Sequence, residues 1–175
     1  GDISSQFITG FMFVLPLLDQ DSTLTITEPY ESKSYVNLTI QMLAKFGIEI
    51  LETSSNSYLI KGNQHYKAQD VSVEGDFSQL AFFAVLGTLN NTLSCSNMDM
   101  SSKQGDKAIL DCIPSFTSDK DTITFQKKQP APQTIDLSNC PDLGPILCVL
   151  ASFTNGETNI VNAARLRMKE SDRIL

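Results

Sequence analysis

The sequence predicts an α/β (α+β) protein assembled from repeated βαβαββ units, with buried apolar helices covered by sheets. Three observations predict it. Segments 5–18 (SQFITGFMFVLPLL), 77–89 (FSQLAFFAVLGTL) and 142–153 (DLGPILCVLASF) are apolar almost all round, as helices inside a layered domain are. After each comes a turn and a short β-like run, at 23–27 (TLTIT), 92–97 (TLSCSN) and 158–161 (TNIV). Finally, SKSYVNLTI at 32–40 aligns with SKQGDKAIL at 102–110, and SQFITGFMFVL at 5–15 aligns loosely with SQLAFFAVLGT at 78–88. This is an internal repeat of roughly 65–75 residues, long enough for a complete supersecondary unit.

Taken in order, the helix at 5–18 opens on Ser4, Ser5 and Gln6, polar groups where the first backbone N–H donors need acceptors. The strand at 23–27 leads to a more polar helix at 34–46, with Tyr35, Leu38, Met42, Leu43 and Phe46 at helical spacing and Gly47 as its stop. Strands at 48–51 and 58–61 close this unit. In the second unit Asp76, Ser78 and Gln79 open the helix at 77–89, and a strand at 92–97 follows. A helix near 104–113 is halted by Pro114, and 122–126 supplies a closing strand. In the third, Asp142 opens the helix at 142–153, the strand at 158–161 follows, and a polar helix begins near Met168. The first unit lacks its opening strand and the third its later elements, so the pattern reads as truncated at both ends.

Composition narrows the function. Lys and Arg number 13 against 20 Asp and Glu, a net charge of −7. That argues against a nucleic-acid or membrane-surface binder, which needs a basic face, and leaves room for a local cationic pocket. Cys95, Cys112, Cys140 and Cys148 form no C-x-x-C pair and His65 is the single histidine, so no metal site is expected and the cysteines read as reduced thiols of a cytoplasmic protein. No signal-peptide pattern opens the sequence, and the longest apolar run, 7–18, is too short to span a bilayer and contains Pro16.

Against this acidic background, LRMKESDR at 166–173 is dense in charge, with Arg165 just before it. On a helix starting near Met168, Lys169 and Arg173 share a face. Like charges at that spacing repel, and cations sit badly at the positive end of a helix dipole. Two readings stand: a self-neutralising solvated helix start, with Glu170 and Asp172 as compensation, or a site whose missing negative charge comes from an anionic ligand. Asp142 likewise reads either as a helix cap or as a carboxylate near enough to Lys169 or Arg173 to stay ionised and act as a base. Ser4, Ser5 and Gln6 read as caps or as donors to a phosphate at a helix start.

SSQF at 4–7, SKSY at 32–35, EGD at 74–76, PDLGPILCVLASF at 141–153 and LRMKESDRI at 166–174 together resemble the 5-enolpyruvylshikimate-3-phosphate synthase (3-phosphoshikimate 1-carboxyvinyltransferase) family. Order and spacing match across essentially the whole chain. The resemblance implies the enolpyruvyl transferase fold, two domains of three βαβαββ units with the active site between them. Residues 1–73 would be the last unit of the first domain, and 74–175 the first unit and part of the second unit of the other. It implies transfer of the enolpyruvyl group of phosphoenolpyruvate to the 5-hydroxyl of shikimate-3-phosphate by addition and elimination, with no cofactor and no metal. By motif position Asp142 would be the proton acceptor, Lys169 the lysine beside the attacked hydroxyl and Glu170 an acid for the methylene carbon. Ser4, Ser5, Gln6, Ser32 and Tyr35, with Asp142, Lys169 and Arg165, would bind shikimate-3-phosphate. Gln6 and Arg173 would hold phosphoenolpyruvate, and Arg165 stands where some members have Asn. Family enzymes are more than twice this long, and further cations come from the rest of their chains. The resemblance therefore implies that these 175 residues alone are inactive or nearly so, and that their partners include the remaining parts of a full-length chain. The alternatives are the sister transferase acting on UDP-N-acetylglucosamine and a non-catalytic binding module on the same repeat.

Overall fold

The computed structural model describes Gly1 and residues 4–175; Asp2 and Ile3, at the head of the first helix motif, lie outside the described residues. The chain forms two compact units, Gly1–Ser72 and Val73–Leu175. In the first, helix α1 (Ser5–Val14) tightens into a 3-10 turn over Leu15–Leu17, where Pro16 has no N–H to continue the α ladder. Strand β1 (Ser22–Thr25), helix α2 (Lys33–Lys45) and the hairpin β2 (Ile50–Ser54) and β3 (Ser57–Ile60) follow. The sheet runs β1-β3-β2, antiparallel throughout. Along β3 alternate residues turn inward, so Tyr58 and Ile60 join Ile8, Met12, Ile26, Val36, Leu43 and Ile48 in the core.

Helix α2 ends as its sequence requires. Gly47 has φ +81°, its N–H donates to Ala44 O at 3.1 Å, and the N–H of Ile48 reaches back to Leu43 O at 3.0 Å. This left-handed closure satisfies carbonyls the helix would leave open, and it brings Ile48 down beside Leu43.

The second unit repeats the plan. Helix α3 (Phe77–Leu89), strand β4 (Leu93–Cys95), a 3-10 turn at Gly105–Ala108 continuing into α4 (Ile109–Cys112), and hairpin β5 (Phe116–Asp119) and β6 (Thr122–Phe125) build a sheet of order β4-β6-β5. The identical strand order in both sheets is the structural form of the sequence repeat. Strands β7 (Thr134–Asp136) and β8 (Asn159–Val161) then pair in parallel, with α5 (Gly144–Ser152) as the crossover. Pro141–Leu143 forms a 3-10 turn ahead of α5, and Ala164–Met168 another after β8. Helices α3 and α5 pack on each other over one core that includes Phe77, Leu80, Phe125, Leu143, Leu147 and Leu166.

Four expectations change. The even apolar distribution of α1, α3 and α5 predicts burial on every side, but each helix is covered on one side and leaves residues such as Phe7, Phe11, Phe82, Phe83 and Val149 exposed. The buried stripe of α2 is Val36 and Leu43, with Ile40 packed against it; Tyr35, Leu38, Met42 and Phe46 are only partly covered. The second polar helix is one turn of 3-10 before a short α segment. The polar helix expected from Met168 does not form: Lys169 has ψ −170°, and 169–175 continue as bends and turns. There the Asp172 carboxylate accepts from the N–H of Ile174 at 3.0 Å, and the N–H of Arg173 donates to Leu166 O at 3.0 Å, local bonds that compete with a helix. Strands β5 and β7 are additions to the sequence reading.

Candidate active site

In the second unit the charged residues of 166–173 close on the start of α5. Leu166 is buried and anchors the segment. Its side chain lies against Gly144, where an added Cβ would stand 2.7 Å from Leu166 Cδ1; glycine permits that approach. With Leu166 fixed, Lys169 Nζ lies 3.1 Å and Arg173 Nη1 3.0 Å from the same oxygen, Asp142 Oδ1. The second nitrogen of the Arg173 fork donates to Glu170 Oε2 at 2.8 Å. Arg167 is taken by Asp172 at 2.8 Å. Lys169 and Arg173 meet at one carboxylate, though on a bent segment and not on the face of a helix.

The electrostatics follow from this geometry. Partial burial pushes the Asp142 carboxyl up, but hydrogen bonds and charge from Lys169 and Arg173 outweigh it, and the group lies below its ordinary value. Asp142 is thus ionised at neutral pH. Glu170 is also held low, chiefly by its hydrogen bond from Arg173, and its side chain is 77% exposed. As it stands, Lys169 and Arg173 are balanced by Asp142 and Glu170. Helix α5 starts with Leu143 in the capping position and no side-chain cap bond. Arg165 lies half-buried on the 3-10 turn Ala164–Met168.

In the first unit Ser4 Oγ accepts from the N–H of Gln6 at 3.2 Å, so this serine caps α1. It also lines a small cavity of about 230 Å³ with Phe7, Phe11, Thr25 and Thr27. Ser5 is half-buried and Gln6 exposed. Ser32 opens α2 in a left-handed conformation, φ 56° and ψ 32°, and is only 1% exposed. Its carbonyl accepts from the N–H of half-buried Tyr35 at 3.1 Å. The residues flanking Ser32 are held by Glu52 and Tyr58, which the motifs do not include: Lys33 pairs with Glu52 at 2.6 Å and the Tyr30 hydroxyl with that of Tyr58 at 3.0 Å. Only the inward alternation of SYLI at 57–60 hints at them, since it buries a tyrosine whose hydroxyl then needs a partner.

Among the described residues no group of three or more His, Cys, Asp or Glu is placed to hold a metal ion, and no helix is long and apolar enough to cross a membrane. All four cysteines are free thiols. Burial first, then neighbouring negative charge, raises Cys140 to about 12 and Cys112 to about 11, so neither is a ready nucleophile.

Comparison with known proteins bears on this arrangement. The family described as EPSP synthase (3-phosphoshikimate 1-carboxyvinyltransferase) matches over residues 1–175. The chain is similar to the 3-phosphoshikimate 1-carboxyvinyltransferase of Clostridium kluyveri, 47% identical over 178 residues, which are 99% of this chain and 42% of that protein. It is 51% identical over 176 residues to the enzyme of the same name from Clostridium acetobutylicum, covering 99% of this chain and 41% of that one. Among solved structures it is similar to EPSP synthase from Acinetobacter baumannii, with a TM-score of 0.76 at 20% identity over 98% of this chain and 41% of that chain. The enolpyruvyl transferase NikO from Streptomyces tendae gives 0.67 at 16% identity over 85% and 37%. At those identities the structural likeness speaks for the fold alone. The chain spans about two fifths of the length of the curated relatives it matches.

Proposed function

The chain belongs to the EPSP synthase family, and from that premise we propose that it supplies part of the site that transfers an enolpyruvyl group from phosphoenolpyruvate to the 5-hydroxyl of shikimate-3-phosphate. The observation that carries this reading is the convergence of Lys169 and Arg173 on one Asp142 oxygen, at 3.1 and 3.0 Å. In the addition step Asp142, ionised, accepts the hydroxyl proton while Lys169 beside it stabilises the developing negative charge. The hydroxyl oxygen bonds to C2 of phosphoenolpyruvate, and C3 is protonated through Glu170, which takes up a solvent proton once phosphoenolpyruvate draws the Arg173 fork away from it, giving a tetrahedral intermediate. In the elimination step C3 loses a proton, the C2–O bond to phosphate breaks, and the enol ether and phosphate leave. Arg173, a two-pronged donor, suits a carboxylate or phosphate of phosphoenolpyruvate, and Gln6 is assigned to the same substrate. Ser4, Ser5, Gln6, Ser32, Tyr35 and Arg165 are assigned to shikimate-3-phosphate binding by their motif positions. In this assignment residues 1–73 are the last unit of one domain and 74–175 open the other.

Charge accounting sets a limit. The two substrates bring two phosphates and two carboxylates, while Lys169 and Arg173 already face Asp142 and Glu170. Further cations must come from other segments of a longer chain, so turnover by these residues alone is expected at background level. Calorimetric titration tests the assignment. Heat on adding shikimate-3-phosphate but not UDP-N-acetylglucosamine, lost in Lys169→Ala, is the expected result. Heat with UDP-N-acetylglucosamine and none with shikimate-3-phosphate would overturn the assignment in favour of the sister transferase, and heat unchanged in Lys169→Ala would overturn the role given to Lys169.

A further inference from the structure

We infer that the β2–β3 hairpin is the positioning element for Ser32, acting through Tyr58, Glu52 and Ser55 on the residues either side of it; this rests on the proposed role of Ser32 at shikimate-3-phosphate. Ser32 is the point that needs explaining. A left-handed conformation is uncommon for a residue with a side chain, and such strain persists where the surroundings over-determine it. Here both flanks are tied to one hairpin. Upstream, the Tyr30 hydroxyl pairs with the Tyr58 hydroxyl at 3.0 Å, and Tyr58 is wholly buried on β3. The Glu28 carboxylate tightens the same turn by accepting from the N–H of Tyr30 at 2.8 Å. Downstream, Lys33 Nζ donates to Glu52 Oε1 at 2.6 Å on β2 and to Ser55 O at 2.8 Å in the hairpin turn. The Lys33 ammonium also stands 5.8 Å from the centre of the Tyr30 ring, so the two tethers support each other. Further back, Asn56 in the same turn clasps Ile26: its carbonyl accepts from the N–H of Ile26 at 2.8 Å and its amide donates to Ile26 O at 3.0 Å. Segment 26–33 is thus fastened to the hairpin at three places, and Ser32 lies between two of them. None of these hairpin side chains belongs to the proposed substrate set, so they are positioning residues and not catalytic ones.

The test reads conformation and binding separately. In this chain, the amide coupling constant and Cα shift of Ser32 report its left-handed state by NMR. Tyr58→Phe and Glu52→Gln are expected to shift that signature while the amides of β1 and β3 away from the substitution keep theirs. A Ser32 signature unmoved in both variants overturns the inference. Shikimate-3-phosphate titration followed by phosphorus NMR gives the second readout. Each variant is expected to weaken binding about fivefold, the size of one net hydrogen bond, and to have no further effect in a Ser32→Ala background. Equal losses with and without the Ser32 hydroxyl would mean a merely structural role and also overturn it. If instead Ser32→Ala itself leaves binding unchanged, or no binding occurs, the ligand role of Ser32 fails, while the coupling constant still decides whether the hairpin sets its conformation.

Discussion

Asp142 shows what one residue gains from its neighbours. Its folded carboxyl lies below its ordinary value because two cations outweigh the effect of burial, so it stabilises the fold above its unfolded value of about 3.9. That contribution is lost as pH falls through the lower folded value. Urea unfolding of the chain and of Asp142→Asn is expected to differ at pH 6, with the difference shrinking below about pH 4; a gap of constant size would count against the ion-pair account. Tyr30 and Tyr58 give a second residue-level case. Burial first, then the neighbouring hydroxyl, raises the Tyr30 phenol, so Tyr30 stays neutral and its hydroxyl stays paired with that of Tyr58. Tyr58→Phe leaves the Tyr30 hydroxyl half-buried and unmatched, costing about 1 kcal/mol, whereas Phe at both positions is expected to cost less than the sum of the single changes. Denaturant midpoints of the three variants decide it.

At the scale of elements, two junctions control where functional side chains stand. The first is the end of α2. Gly47→Ala forces a side chain to φ +81° and places its Cβ 2.9 Å from Lys67 Cδ. A loss of about 1 kcal/mol is expected, visible as a lower urea midpoint with unchanged m-value. The second is Leu166 on the start of α5. Leu166→Ala removes the anchor of the charged segment and is expected to destabilise the second unit by about 2–5 kcal/mol. It should also let the Asp142 carboxyl drift up toward its ordinary value as Lys169 and Arg173 move away, which carboxyl NMR titration measures. A destabilised variant with an unmoved Asp142 would separate packing from charge placement. The third polar helix belongs at this scale too: helical spacing put Lys169 and Arg173 on one face, but an Asp172 turn and the Leu166 anchor achieve their convergence without it.

For the whole molecule, the apolar faces of the repeat helices matter most. Phe7 is 68% exposed and Phe11 56%, with Phe13, Val14, Leu17 and Leu18 on the same stretch. Exposed apolar area of this kind drives association. Sedimentation is expected to show concentration-dependent self-association, reduced in a Phe7→Ser, Phe11→Ser double variant; a monomer at all concentrations would contradict it. Such faces are what a unit of a longer repeat array presents to its neighbours.

The sequence by itself determined the repeat, the positions of the apolar helices and of α2, and most of the strands. These rest on local rules: apolar periodicity, a cap such as Asp76 receiving the N–H of Ser78 at 2.7 Å, and a glycine where the backbone turns left-handed. It also placed Asp142, Lys169 and Arg173 in one motif set. Only the tertiary structure decided which side of each apolar helix is covered, since a helix apolar all round carries no directional signal. It alone showed that 169–175 bends instead of coiling, because the choice depends on where Leu166 packs. The tethering of Ser32 to Glu52 and Tyr58 was likewise beyond the sequence: those residues are far apart along the chain, and a hydrogen bond between them has no local pattern to announce it.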